Sequence, residues 1–117
     1  MDKKEIKKTY KQKLPDMGLY QIRNLVGGKI YIGRAMDLNG KLNSERFQLK
    51  NRMHMNRELQ QDFNELGEKQ FAFEVLDRLQ PKLGPDHDYG QELKELEDIW
   101  LEKLQPYAEK GYNKKKP

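Results

Sequence analysis

The chain has 117 residues, and at roughly 100 to 200 residues per domain this is room for one. Hydrophobic residues make up 35% and charged ones 36%, with a mean hydropathy of −1.11, so the core must be small and the surface heavily charged. The absence of cysteine excludes disulfides, thiolate metal sites and a cysteine nucleophile, and the net charge of +4 suits an anionic partner.

Asp2 to Gln12 reads as a short basic helix that ends before Leu14-Pro15, with Ile6 and Tyr10 one turn apart. Lysines cluster there at Lys3, Lys4, Lys7, Lys8, Lys11 and Lys13, and again at Lys114 to Lys116. Such clusters serve either as solvated ends or as contacts for a polyanion. The N-terminus lacks the apolar segment of a signal peptide, and no apolar run is long enough for a membrane span. A cytoplasmic location without membrane contact is therefore expected, and nothing in the sequence marks a protein partner.

Gly18 to Asn24 and Lys29 to Gly33 are rich in aromatic and β-branched residues, and Val26-Gly27-Gly28 between them supplies a tight turn, so the stretch reads as a β-hairpin. Its geometry depends on the parity of the loop. With two or four loop residues the partner of Tyr31 is even-numbered, and Tyr20 and Tyr31 point to one face; an odd loop without a bulge would separate them. Gly18 and Gly33 leave bare backbone beside the tyrosines, where a ligand or another backbone can come close.

Asp37 to Gly40 reads as a loop and Leu42 to Asn51 as a helix, with Leu42, Arg46 and Leu49 on one side and Phe47 near them. Asn56 can cap the next helix, whose Leu59, Phe63 and Leu66 form a stripe, and Gly67 stops it. Phe71 to Leu76 alternates as a third strand with Phe71, Phe73 and Val75 on one face. Gln80 to Gly90 is a loop; the side chains of Asp86, His87 and Asp88 diverge within it and make a poor metal site. The final helix, Gln91 to Leu104, carries the stripe Leu93, Leu96, Trp100 and Leu104. Glu97 lies about 60° from Trp100 at the edge of that stripe. A half-buried carboxylate there needs a basic partner or a metal.

Gly18-Leu19-Tyr20, followed after ten residues by Tyr31-Ile32-Gly33, resembles the signature of the GIY-YIG nuclease family, with Leu19 in place of the first isoleucine. Further positions extend the resemblance along the chain. Glu97 three residues before Trp100 looks like the family's metal-binding glutamate, and Gly111-Tyr112-Asn113 resembles its terminal G-Y-N. The segment His54, Leu59, Gln60, Phe63, Asn64 and Gly67 is similar to the helix of phage-type members, in which a leading histidine assists catalysis. Two positions depart. The family's arginine, ten residues after the second tyrosine, is Lys41 here, and Glu45 stands where some members carry a histidine. Lysine keeps the charge but loses the fork that grips two phosphate oxygens. Arg34 and Arg46 are the other candidate cations; Arg46 sits about 140° around the helix from Lys41.

The expected fold is α/β: a small three-stranded antiparallel sheet flanked by helices, forming a single domain over 1–117 with its core at 17–113, a basic helix at 2–12 and a basic tail at 114–117. The resemblance implies an endonuclease that hydrolyses nucleic-acid phosphodiester bonds, DNA before RNA, with magnesium or manganese (Mg2+ or Mn2+) at Glu97. It implies catalytic roles for Tyr20, Tyr31, His54, Asn113 and one of Lys41, Arg34 and Arg46, and substrate contacts at Gly18 and Gly33. Tyr20 is preferred over Tyr31 as the group that helps deprotonate water, provided nearby positive charge lowers its pKa. The competing expectation is a weak or inactive module that binds nucleic acid without cutting it, supported chiefly by Lys41.

Overall fold

The computed structural model describes residues 14–115, so the basic helix expected at 2–12 and the last two tail residues lie outside the described residues. In the hairpin of β1 (Met17–Asn24) and β2 (Ile30–Ala35) the Asn24 amide donates to the Lys29 carbonyl at 2.9 Å, which leaves a four-residue loop, 25–28, inside that pair. The Asn24 side chain shapes this turn by accepting hydrogen bonds from the Val26 and Gly27 amides, and Gly28 supplies a φ of +84°. With an even loop, Ile22 lies opposite Tyr31 and Tyr20 opposite Gly33, so both phenols share a face, their ring centroids 6.4 Å apart.

The third strand, β3 (Phe71–Leu79), pairs antiparallel with the other side of β1 and gives the order β2-β1-β3. It runs three residues beyond the expected Leu76, because a bulge between Leu19 and Tyr20 lets the ladder resume at Asp77. At this bulge Gly18 has φ +154°, and a Cβ there would stand 2.1 Å from the Asp77 carbonyl oxygen. Its bare backbone is filled by β3 rather than by a substrate, which corrects the substrate role expected for Gly18.

Helix α1 (Leu38–Lys50) and helix α2 (Arg57–Leu66) cover the tyrosine face, where Leu38, Leu49, Leu59 and Phe63 join Tyr20, Ile22 and Phe71 in one core. Each such side chain contributes roughly 1.5–3 kcal/mol on burial. Helix α3 (Gly90–Leu104) packs on the opposite face, with Leu93 against Met17 and the Trp100 indole donating to Asp77 at 3.0 Å. Among the described residues no helix is long and apolar enough to cross a membrane.

Helix α1 begins a turn earlier than the sequence pattern predicts. Asp37 caps it by accepting from the Gly40 amide, and Gly40 tolerates that carboxylate because a Cβ would lie 2.7 Å from it. The glycine read as a loop residue is part of the first turn. In this register Leu38, Leu42, Glu45 and Leu49 face inward, and Phe47 is 60% exposed. Likewise Leu66 at the end of α2 is exposed, while Gln60 is buried.

Candidate active site

Glu45 is the only carboxylate among the buried residues described, and three groups converge on it. The Tyr20 phenol donates to Oε1 at 3.1 Å, the Lys41 ammonium stands 3.5 Å from the same oxygen one helical turn away, and His54 Nε2 donates to Oε2. The Asn56 amide donates to His54 Nδ1 at 3.0 Å, which leaves the ring hydrogen on Nε2, facing Glu45. Gln60 completes the frame, accepting from the His54 amide and donating to the Leu49 carbonyl.

Electrostatics follow from this packing. Burial alone would raise the Glu45 carboxyl, but the hydrogen bond and pull of His54, the Lys41 charge and the Tyr20 hydrogen bond hold it below its usual range. Tyr20 is pushed well above a normal phenol, first by burial and then by Glu45. Burial, Glu45 and Glu97 also raise Tyr31. This reverses the expected order of the tyrosines: Tyr20 is 2% exposed with its proton committed to Glu45, whereas Tyr31 is partly exposed and borders an open groove. His54 is buried too, with both ring nitrogens engaged and its ring edge-on to Tyr31 at 5.6 Å, so it braces the site instead of acting as a free proton carrier.

A folded-state pKa below the unfolded value gives stability that is present above about pH 4.3 and lost as pH falls through the lowered value. Thermal melts between neutral and acid pH should therefore show a shallower acid loss in Glu45→Gln than in the parent. Equal acid slopes would remove Glu45 from the account of acid stability.

The second half of the site lies around the free edge of β2. Arg34 and Glu97 project on the α3 side of the sheet, and the Arg34 Nη1 donates to Glu97 Oε1 at 2.6 Å. The basic partner weighed for Glu97 is thus present. Asn113 clamps the edge, its Oδ1 accepting from the Ile32 amide and its Nδ2 donating to the Ile32 carbonyl, both at 2.9 Å. One bond from each polar atom goes to the backbone, which gives Asn113 a structural role at this edge. Gly33 is close to Tyr20: a Cβ would lie 2.4 Å from the phenol oxygen, so the ring, not a substrate, occupies that space. Arg46 stacks on Phe73 at 4.6 Å, toward β3 and roughly 10 Å across the sheet from Tyr31, which removes it from the candidate cations.

His87 pairs with Glu92 at 3.0 Å and packs edge-on against Tyr89. Among the described residues no group of three metal-ligating side chains occurs. Glu97 can nevertheless fit a magnesium-type ion, which takes one or two carboxylates and fills its remaining positions with water and substrate oxygens. Its side chain is 14% exposed at a groove shared with Asp98 and Asn113, and Oε2 accepts no hydrogen bond among the described residues.

No protein-family model and no curated protein matches the chain. Among solved structures it is similar to the catalytic domain of homing endonuclease I-TevI, with 27% identity and a TM-score of 0.70 over 86% of this chain and 99% of that one. A mutant of the catalytic domain of intron endonuclease I-TevI gives 26% identity and a TM-score of 0.68 over 84% and 92%. The hairpin with its two tyrosines, the three-strand sheet between helices and this likeness along most of the chain agree, and the chain has the fold of a GIY-YIG nuclease catalytic domain.

Proposed function

We propose that the chain is a metal-dependent endonuclease that hydrolyses nucleic-acid phosphodiester bonds, with DNA as the first substrate to test and Mg2+ or Mn2+ held at Glu97. The observation that carries this reading is the juxtaposition at the β2 edge of a partly exposed phenol, Tyr31, with the Lys41–Glu45 pair on one side of the sheet and Arg34–Glu97 on the other. A divalent cation at Glu97 would supply Lewis-acid polarisation of the phosphate. Lys41 holds a point charge against the phosphate oxygens as negative charge grows on them. Tyr31 orients the attacking water by hydrogen bonding, while Tyr20, Glu45 and His54 keep the wall behind it rigid. Arg34 is the second cation within reach.

The competing reading, a module that binds without cutting, is favoured by one feature. Lys41 is neutralised by Glu45 and Arg34 by Glu97, so the cations have carboxylate partners before any substrate arrives. Nicking of supercoiled plasmid with magnesium or manganese, against a chelator control, separates the two; nicking that is absent with both metals rejects the endonuclease reading. In the same assay Lys41→Ala should lower the rate roughly 100- to 1,000-fold, as loss of a transition-state charge partner does. Lys41→Arg should preserve or raise it, because guanidinium grips phosphate oxygens in pairs. Full activity in Lys41→Ala would move the role to Arg34.

A further inference from the structure

Three shallow depressions meet on the β2 edge. One lies between Glu97 and Lys115, a second between Tyr31 and Met55, and a third between Asn56 and Arg57; Asn113 and Lys114 line all three. They form a continuous open trough, unlike the enclosed apolar cavity that a small ligand needs. Lys114, Lys115 and Arg57 are exposed, and none has a carboxylate within salt-bridge distance among the described residues.

The backbone that presents Lys114 is firmly anchored. Gly111 bridges to Ile30 in parallel, and the Tyr112 amide donates to the Ile30 carbonyl at 2.9 Å. The buried Tyr112 phenol donates to Asp62 at 2.7 Å and accepts from Asn24 at 3.0 Å, while Asn56 donates to the Tyr112 carbonyl at 2.7 Å. With the Asn113 clamp on Ile32, these contacts hold Lys114 at the junction of the three depressions. A cation on an anchored backbone has less ordering entropy to lose on binding.

We infer that this trough is the track for one nucleic-acid strand, with Lys114 as its central phosphate contact and Lys115 and Arg57 toward its two ends. The inference rests on the nuclease reading and gives its substrate a path. Glu97, Asp98 and Glu102 line the first depression and Glu58 the third, so the phosphates are assigned to Lys114, Lys115 and Arg57, while Tyr31 and the 92% exposed Met55 offer a stacking and an apolar surface to a base between them.

The test is anisotropy titration of a labelled DNA duplex over a range of salt, in chelator so that no cleavage intervenes. Lys114→Ala and Arg57→Ala should each weaken binding and flatten the dependence of log K on log salt by about 0.9, the change expected for one lost phosphate contact. Lys82→Ala, in the loop that leads toward α3, should leave the slope unchanged. Parent-like slopes in both Lys114→Ala and Arg57→Ala, or an equal loss in Lys82→Ala, overturn the track; if the parent still nicks plasmid, the nuclease reading survives that result. A parent that neither binds nor nicks overturns both.

Discussion

Glu97→Gln is expected to abolish metal-dependent nicking while leaving the protein folded. The variant keeps the shape of the side chain and can still accept from Arg34, but it removes the charge that would hold a divalent cation. Because the Arg34 side chain is 43% exposed, losing the ion pair should change stability by only about 0–1 kcal/mol. Calorimetry gives a second readout, since a metal that binds only the native state raises the melting temperature of the parent. A metal-induced rise that persists undiminished in Glu97→Gln, alongside intact nicking, would take the metal away from this residue. A stability loss of several kcal/mol would instead identify Glu97 as a structural partner of Arg34.

The largest expected effect on stability belongs to Glu45→Ala. Removing this carboxylate leaves the His54 Nε2 hydrogen and the Tyr20 phenol without their acceptor inside the fold, and Lys41 without its counter-ion. Each buried donor left without an acceptor costs about 1–3 kcal/mol, and two are stranded here. That is a large share of the roughly 5–15 kcal/mol available to a typical domain. Glu45→Gln should lose less, about 1–3 kcal/mol, because its carbonyl still accepts one hydrogen bond while its amide faces the His54 donor. Urea denaturation of the three proteins measures both differences. A Glu45→Ala loss below about 1 kcal/mol would mean that water reaches the cluster and that its packing does not organise the site.

Much of this architecture was legible along the chain because it depends on near neighbours. The turn residues between Asn24 and Lys29 marked the hairpin but left two registers, and the even loop of the structure put Tyr20 and Tyr31 on one face. Asn56 and Gly67 bracket α2 as their types require. Leu93 to Leu104 reads as one helix with Glu97 at the margin of its stripe, which is where that residue lies. The burial of Glu45 was missed because Arg46 was placed on the inner side of the helix in its stead. The stripe was read as Leu42, Arg46 and Leu49, with the charged Glu45 left out, whereas a helix that starts at Leu38 runs Leu38, Leu42, Glu45 and Leu49 at i, i+4, i+7 and i+11 on its inner face. Gly40 concealed that start.

By itself, then, the sequence determined the hairpin, the three long helices and the motif that carries the family resemblance, because strand alternation, helical periodicity and capping act over a few residues. Only the tertiary structure decided what each polar group meets. Tyr20 finds Glu45 across 25 residues, Arg34 finds Glu97 across 63, and Ile32 finds Asn113 across 81. Those meetings turned His54 and Asn113 into supports, committed the Tyr20 proton to Glu45 and left Tyr31 facing the groove. The physical reason is desolvation: a buried polar group must be paired, and which partner it takes depends on how the sheet and helices close around it, a choice that no local pattern contains.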